Sequence, residues 1–141
     1  MSERQCSGFT LLELTLVLFV LGLLAALVVP RVLGRTTQAR RARAVADLEI
    51  LAQALEGYRL DAGTYPTTAQ GLDALIRAPV LPPRPARWRP DGYLPALPRD
   101  PWGHEYQYAC GDGRHVTLRS LGGDGAPGGD GEAADVEPDA R

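Results

Sequence analysis

Apolar residues run almost unbroken from Phe9 to Pro30, and the only charge among them is Glu13. At about 1.5 Å of rise per residue this stretch predicts a helix of about 30 Å, the thickness of a bilayer core. Beyond Pro30 the pattern turns amphipathic. Val45, Leu48, Ala52, Leu55 and Tyr58 recur at steps of three and four, with Asp47, Glu49, Gln53, Glu56 and Arg59 between them. No strong breaker intervenes before Asp61-Ala62-Gly63, so one long helix is expected from about Phe9 to Leu60, kinked or locally melted between Gly22 and Pro30.

Shorter elements come next. Thr67 and Gln70 have capping-box spacing ahead of a stripe of Leu72, Leu75 and Ile76, which predicts a short helix stopped by Pro79. Prolines at 79, 82, 83, 85, 90, 95, 98 and 101 exclude regular structure there. An ordered, extended loop anchored by Trp88, Tyr93 and Leu94 is expected instead. Tyr106 to Cys110 and His115 to Leu121 alternate as strands around a Gly111–Arg114 turn. The fold class is α+β.

Glu13 changes the picture of the apolar run. An ionised carboxylate inside a bilayer costs about 2.5–3.5 kcal/mol by insertion scales, which points to a partner for the charge. A secretory signal fits poorly, because the segment before Phe9 is net neutral and the apolar run is too long. A lipoprotein signal fails because Cys6 precedes the apolar run. A plain single-pass anchor explains neither Gly8-Phe9 nor Glu13. The arginines at 31, 35, 40, 41 and 43 outnumber Arg4 on the other side, and this asymmetry would place the C-terminal part in the cytoplasm.

Composition adds less. The chain has 141 residues and formal net charge −2, enough for one small domain behind the apolar segment. All fifteen basic residues are arginine; those after Pro30 suit lipid headgroups better than nucleic acid, since no aromatics are interleaved with them. Cys6 and Cys110 have no metal-ligand spacing, and Cys110 belongs to a packed strand face. His104, His115 and Ser120 carry no nucleophile signature, so no catalytic residue is assigned. The segment from Gly122 to Arg141 holds six glycines and six acids. It reads either as a disordered acidic tail or as a calcium loop, for Ca²⁺ takes carboxylate and carbonyl oxygens.

The order Gly8-Phe9-Thr10-Leu11-Leu12-Glu13 resembles the N-terminus of type IV pilins and pseudopilins. Tyr65-Pro66-Thr67-Thr68-Ala69-Gln70-Gly71-Leu72, Asp91-Gly92-Tyr93-Leu94 with Leu97-Pro98-Arg99-Asp100-Pro101-Trp102-Gly103, and Ser120-Leu121-Gly122-Gly123-Asp124-Gly125 come after it in order. Together they are similar to the major pseudopilin family of the bacterial type II secretion system, from Gly8 to Val136. The resemblance implies a type IV pilin-like fold. It divides the chain into a cleaved leader (1–8), a transmembrane and polymerisation helix (9–30), an amphipathic continuation (31–60) and a periplasmic head (61–141). It also implies cleavage after Gly8 and N-methylation of Phe9 by a prepilin peptidase, with Glu13 pairing the freed amine of a neighbouring Phe9.

The implied partners are further copies of the chain in a homopolymeric filament, minor pseudopilins and an inner-membrane assembly platform; nucleic acid is not among them. A Ca²⁺ ion is implied in the head, held by Asp124, Asp135 and the carbonyls of Leu121 and Ala126. The family's usual second acid is missing, because Ala133 and Ala134 stand there, leaving Asp130 or Glu132 as replacements. A minor pseudopilin or pilin of a related system, and a membrane-anchored calcium-dependent binding protein, are the alternatives.

Overall fold

The computed structural model describes Thr10 to Pro138, with the side chains of residues 25–35 outside that description. Helix α1 spans Leu11–Ala62, a single 3-10 turn spans Leu72–Leu75, and strands β1 (Gln107–Cys110) and β2 (Val116–Arg119) complete the regular structure among these residues. The α+β class is as expected. The melting expected between Gly22 and Pro30 is not found, since the helix is assigned without interruption there. One proline removes one ladder bond, a small part of a helix of 52 residues.

The chain divides into two compact units, Met1–Thr36 and Thr37–Arg141. In the first, every described residue from Thr10 to Leu24 is exposed, Leu11 to 83% and Phe19 to 69%. The span expected over 9–30 includes Phe9 and side chains that lie outside the described residues. Among the described residues, no helix is long and apolar enough to cross a membrane.

The second unit is built on one stripe of α1. Ala44, Leu48, Leu51, Leu55 and Tyr58 are buried to 2% exposure or less, at steps of four and three that hold them within one narrow face. Val45 and Ala52, expected in this stripe with Leu48, Leu55 and Tyr58, sit only partly buried at its margin, and Leu51 is fully buried. At 3.6 residues per turn they lie ~80–100° round the helix from the centre of the buried stripe, so the larger leucines take the core. Each buried leucine contributes about 2 kcal/mol relative to an exposed one.

Ala74 and Leu75 from the 3-10 turn, Tyr106 just before β1, Leu118 from β2, and Val136 cover this stripe. The capping box forms: Thr67 N donates to Gln70 Oε1 at 2.9 Å and Gln70 N donates to Thr67 Oγ1 at 3.2 Å. It closes a turn and not the expected helix. Gly71, at φ 60°, leaves the helical region, and the chain then makes one 3-10 turn ending at Leu75, before Pro79. The amide of Gln70 also donates to the carbonyls of Leu81 and Pro83 at 2.8 Å each, fastening the proline-rich loop.

That loop is ordered by the anchors the sequence suggested. Trp88 Nε1 donates to Ala74 O at 3.0 Å, and Tyr93 N donates to Leu75 O at 2.7 Å. The Tyr93 ring lies 5.5 Å from that of Tyr58 and 6.3 Å from that of Trp88, and Leu94 packs beside them. Strands β1 and β2 pair antiparallel with Gln107 opposite Arg119 and Cys110 opposite Val116; β1 is one residue and β2 three residues shorter than predicted. The thiol of Cys110 is buried and unbonded to another cysteine, in the packed face expected of it.

Candidate functional site

Gly8 and Phe9, the predicted processing residues, lie outside the described residues. Glu13 stands in the first turn of α1, and its backbone N donates to Thr10 Oγ1 at 3.2 Å. Thr10 therefore caps the helix, and the Thr10-x-x-Glu13 spacing is itself a capping-box signal that the sequence reading passed over. A carboxylate at this end also complements the helix dipole. Glu13 is exposed, so it is accessible to another molecule.

The C-terminal segment is not a loose tail. Ser120 and Val136 exchange two backbone hydrogen bonds of 2.9 Å each, closing a loop from Leu121 to Asp135. Within it Gly123 N donates to Glu132 O at 2.8 Å, Ala133 N to Asp130 O at 3.1 Å and Asp135 N to Gly128 O at 3.2 Å. Gly122 has φ 68°, and a Cβ there would stand 2.6 Å from Ala133 O, so only glycine lets the two sides of the loop meet.

The predicted calcium ligands gather in this loop. Asp124 Oδ1 accepts from Ala126 N and Asp135 Oδ1 accepts from Gly128 N, each at 3.1 Å. The two carboxylates thus grip opposite ends of one three-residue segment. Leu121, at the loop's entrance, comes directly after the Ser120–Val136 bridge. Asp135 Oδ2 accepts from Arg119 Nη1 at 3.2 Å. Among the described residues, no group of three or more His, Cys, Asp or Glu side chains is placed to hold a metal. The donor set is two carboxylates and backbone carbonyls, chemistry that suits a hard cation such as Ca²⁺ and not zinc.

Of the two replacement acids, Glu132 is engaged elsewhere. Its Oε1 accepts from Trp102 Nε1 at 3.2 Å and pairs with Arg40. These contacts, Trp102 first and Arg40 second, hold its carboxyl below the usual range. Asp130 is exposed, leaving it as the replacement compatible with the fold.

Two of the arginines beyond Pro30 correct the sequence reading, while the side chains of Arg31 and Arg35 lie outside the described residues. Arg40 and Arg41 meet the C-terminal loop and not lipid headgroups: Arg41 Nη1 donates to Gly131 O and Ala134 O, each at 3.1 Å. Arg43 lies 3.7 Å from Asp47 on its own helix. No local spacing could reveal the loop contacts, because the partners lie about ninety residues apart in the chain.

Ser120 and the histidines have structural surroundings. Ser120 is fully buried and its hydroxyl donates to Asp100 Oδ2 at 2.6 Å. Asp100 Oδ1 accepts from the backbone N of Trp102 at 3.1 Å and of His104 at 2.7 Å, which makes Asp100–Gly103 a turn. His104 Nδ1 lies 3.1 Å from Gly122 O, and His115 is bonded to Asp112 at the exposed hairpin tip, 2.5 Å away. The buried Ser120 hydroxyl offers no attack path to a substrate.

Residues 31–139 match the family described as type II secretion system (T2SS), protein G, and residues 4–29 match the prokaryotic N-terminal methylation motif. The chain is 50% identical over 137 residues to the type II secretion system core protein G of Pseudomonas aeruginosa, covering 96% of each. It is 46% identical to that of Vibrio cholerae over 134 residues, 94% of this chain and 91% of the relative. The crystal structure of the major pseudopilin from the type 2 secretion system of enterohaemorrhagic Escherichia coli is similar at a TM-score of 0.66 and 41% identity, over 77% of this chain and 94% of that one. With a closed C-terminal loop, a helix-mounted head and an N-terminal methylation motif on one chain, this protein belongs to the type II secretion system protein G family.

Proposed function

We propose that the chain is the structural subunit of a periplasmic pseudopilus, assembled through its N-terminal helix to drive export of folded proteins across the outer membrane. The observation that carries this reading is the exposure of every described residue from Thr10 to Leu24, nearly all apolar, with Glu13 the single charge. Such a surface requires a lipid or protein environment. Before assembly the inner membrane supplies it, with the head in the periplasm; in the filament, neighbouring copies do.

A prepilin peptidase cuts after Gly8 and methylates Phe9. The carboxylate of Glu13 then meets the amine of a neighbouring Phe9, an attraction that strengthens as the bundle excludes water and that sets the axial register. Minor pseudopilins and the inner-membrane platform are the remaining partners. Calcium, when bound, supplies a positive centre for the acids of the head loop. Asp124 and Asp135 provide carboxylates there, and Leu121 and Ala126 provide carbonyls.

The test is co-expression with a competent prepilin peptidase, followed by intact-mass measurement and filament recovery. The expected product begins at N-methylated Phe9, and Glu13→Gln is processed yet absent from filaments. An uncut leader, or wild-type assembly by Glu13→Gln, contradicts the reading. For the head, full-length protein in detergent is expected to melt at a lower temperature in chelator than in Ca²⁺, and Asp124→Ala is expected to abolish the difference. Identical melting curves remove calcium from the account.

A further inference from the structure

Arg41 does more than brace a surface. Its Nη1 donates to the carbonyls of both Gly131 and Ala134 at 3.1 Å, and Nη2 makes a longer contact of 3.5 Å with the carbonyl of Asp135. Arg40, the preceding residue, pairs with Glu132 of the same segment. Carbonyl oxygens converging on one positive group are the signature of a cation site, and here that cation is a guanidinium built into α1. Its planar fork suits several fixed acceptors in a way that a mobile ammonium does not.

The loop divides accordingly. Of the residues assigned to calcium, Leu121, Asp124 and Ala126 occupy its outgoing half and Asp135 ends the returning one. Gly131, Ala134 and the Asp135 carbonyl, which meet Arg41, occupy the returning half. Asp135 serves both: its carbonyl faces Arg41 while its side chain accepts from Gly128 N and Arg119.

We infer that Arg41 is a resident cation of the head, a positioning residue that holds the returning half of the C-terminal loop closed without metal. Calcium then orders the outgoing half, reaching the returning one only through the Asp135 side chain. This rests on the pseudopilin reading only in naming the metal; the clamp itself stands on the Arg41 contacts.

The experiment uses full-length protein in detergent with excess chelator, digested by a glutamate-specific protease that cuts at Glu132. Wild type, Arg41→Ala, Arg41→Lys and Arg43→Ala are compared, with circular dichroism to verify that each is folded. Cleavage of a transiently opened loop tracks the open population, and losing two hydrogen bonds from a charged donor raises that population by about tenfold or more. Arg41→Ala is therefore expected to be cut at least about tenfold faster than wild type. Arg41→Lys should fall between them, because it keeps the charge and loses the fork, and Arg43→Ala should match wild type.

Wild-type cleavage of Arg41→Ala in chelator overturns the proposal. If that variant does not accumulate, Arg41→Lys decides it: an accelerated rate supports the clamp and a wild-type rate overturns it. Calorimetric titration with Ca²⁺ separates the two readings. Absence of binding in wild type removes the calcium assignment, while the digestion in chelator still decides the role of Arg41.

Discussion

Ser120 donates its buried hydroxyl to Asp100 at 2.6 Å, joining the Asp100–Gly103 turn to the residue that opens the C-terminal loop. Asp100 is itself 4% exposed and also accepts two backbone N–H groups. Turn and loop are therefore one hydrogen-bonded unit. Removing the carboxylate leaves one buried and two partly buried donors without an acceptor. Asp100→Ala is expected to destabilise the head by about 3 kcal/mol and Ser120→Ala by about 1 kcal/mol, measured by denaturation of the full chain in detergent. A loss below about 0.5 kcal/mol for Asp100→Ala would mean that water replaces the carboxylate.

Gly122 is the tightest point of the loop. Its φ of 68° and the 2.6 Å approach to Ala133 O act together, so Gly122→Ala should cost about 2 kcal/mol or more. Gly111, at the hairpin, has an ordinary φ and nothing within 4 Å of an added Cβ, so Gly111→Ala should be neutral or slightly stabilising. Equal melting temperatures for the two variants would refute this difference.

Leu51 and Ile50 are sequence neighbours on different sides of α1. Leu51 is fully buried and Ile50 is 49% exposed. Leu51→Ala should cost about 2–5 kcal/mol, and Ile50→Ala less than about 1 kcal/mol. Chemical denaturation of both variants checks the orientation of the helix in the head.

Glu56 provides a pH signature. Hydrogen bonding to Arg59, then to the Tyr65 hydroxyl, lowers its carboxyl from 4.5 to about 2. The folded pKa lies below the unfolded one, so its contribution is complete above about pH 4.5 and is lost as pH falls toward 2. The stability difference between wild type and Glu56→Gln should be constant above about pH 5 and shrink below it. The side chain is 44% exposed, which limits the difference to about 1 kcal/mol or less. A difference that grows on acidification would contradict the assignment.

Local chemistry made much of this protein legible in its sequence. An apolar run with one charge, a three-and-four periodicity, a Thr67–Gln70 box and alternating aromatics before Cys110 each act over a few residues. The long helix, the box, the anchored proline-rich loop and the hairpin accordingly appear where they were expected. Gly8-Phe9 and the ordered head motifs carried the family in the same way.

Tertiary structure decided what depended on distant partners. Periodicity alone placed Val45 and Ala52 in one stripe with Leu48, Leu55 and Tyr58; packing against Leu75, Tyr106 and Leu118 left those two at its margin and brought in Ala44 and Leu51. The left-handed Gly71 broke the predicted second helix into a turn and a 3-10 turn. The acidic, glycine-rich end read equally well as disorder, because its order comes from Ser120, Arg119 and Arg41, which lie outside it. Only the fold brings a guanidinium at position 41 to carbonyls at 131 and 134, since hydrogen bonds across about ninety residues leave no spacing in the sequence.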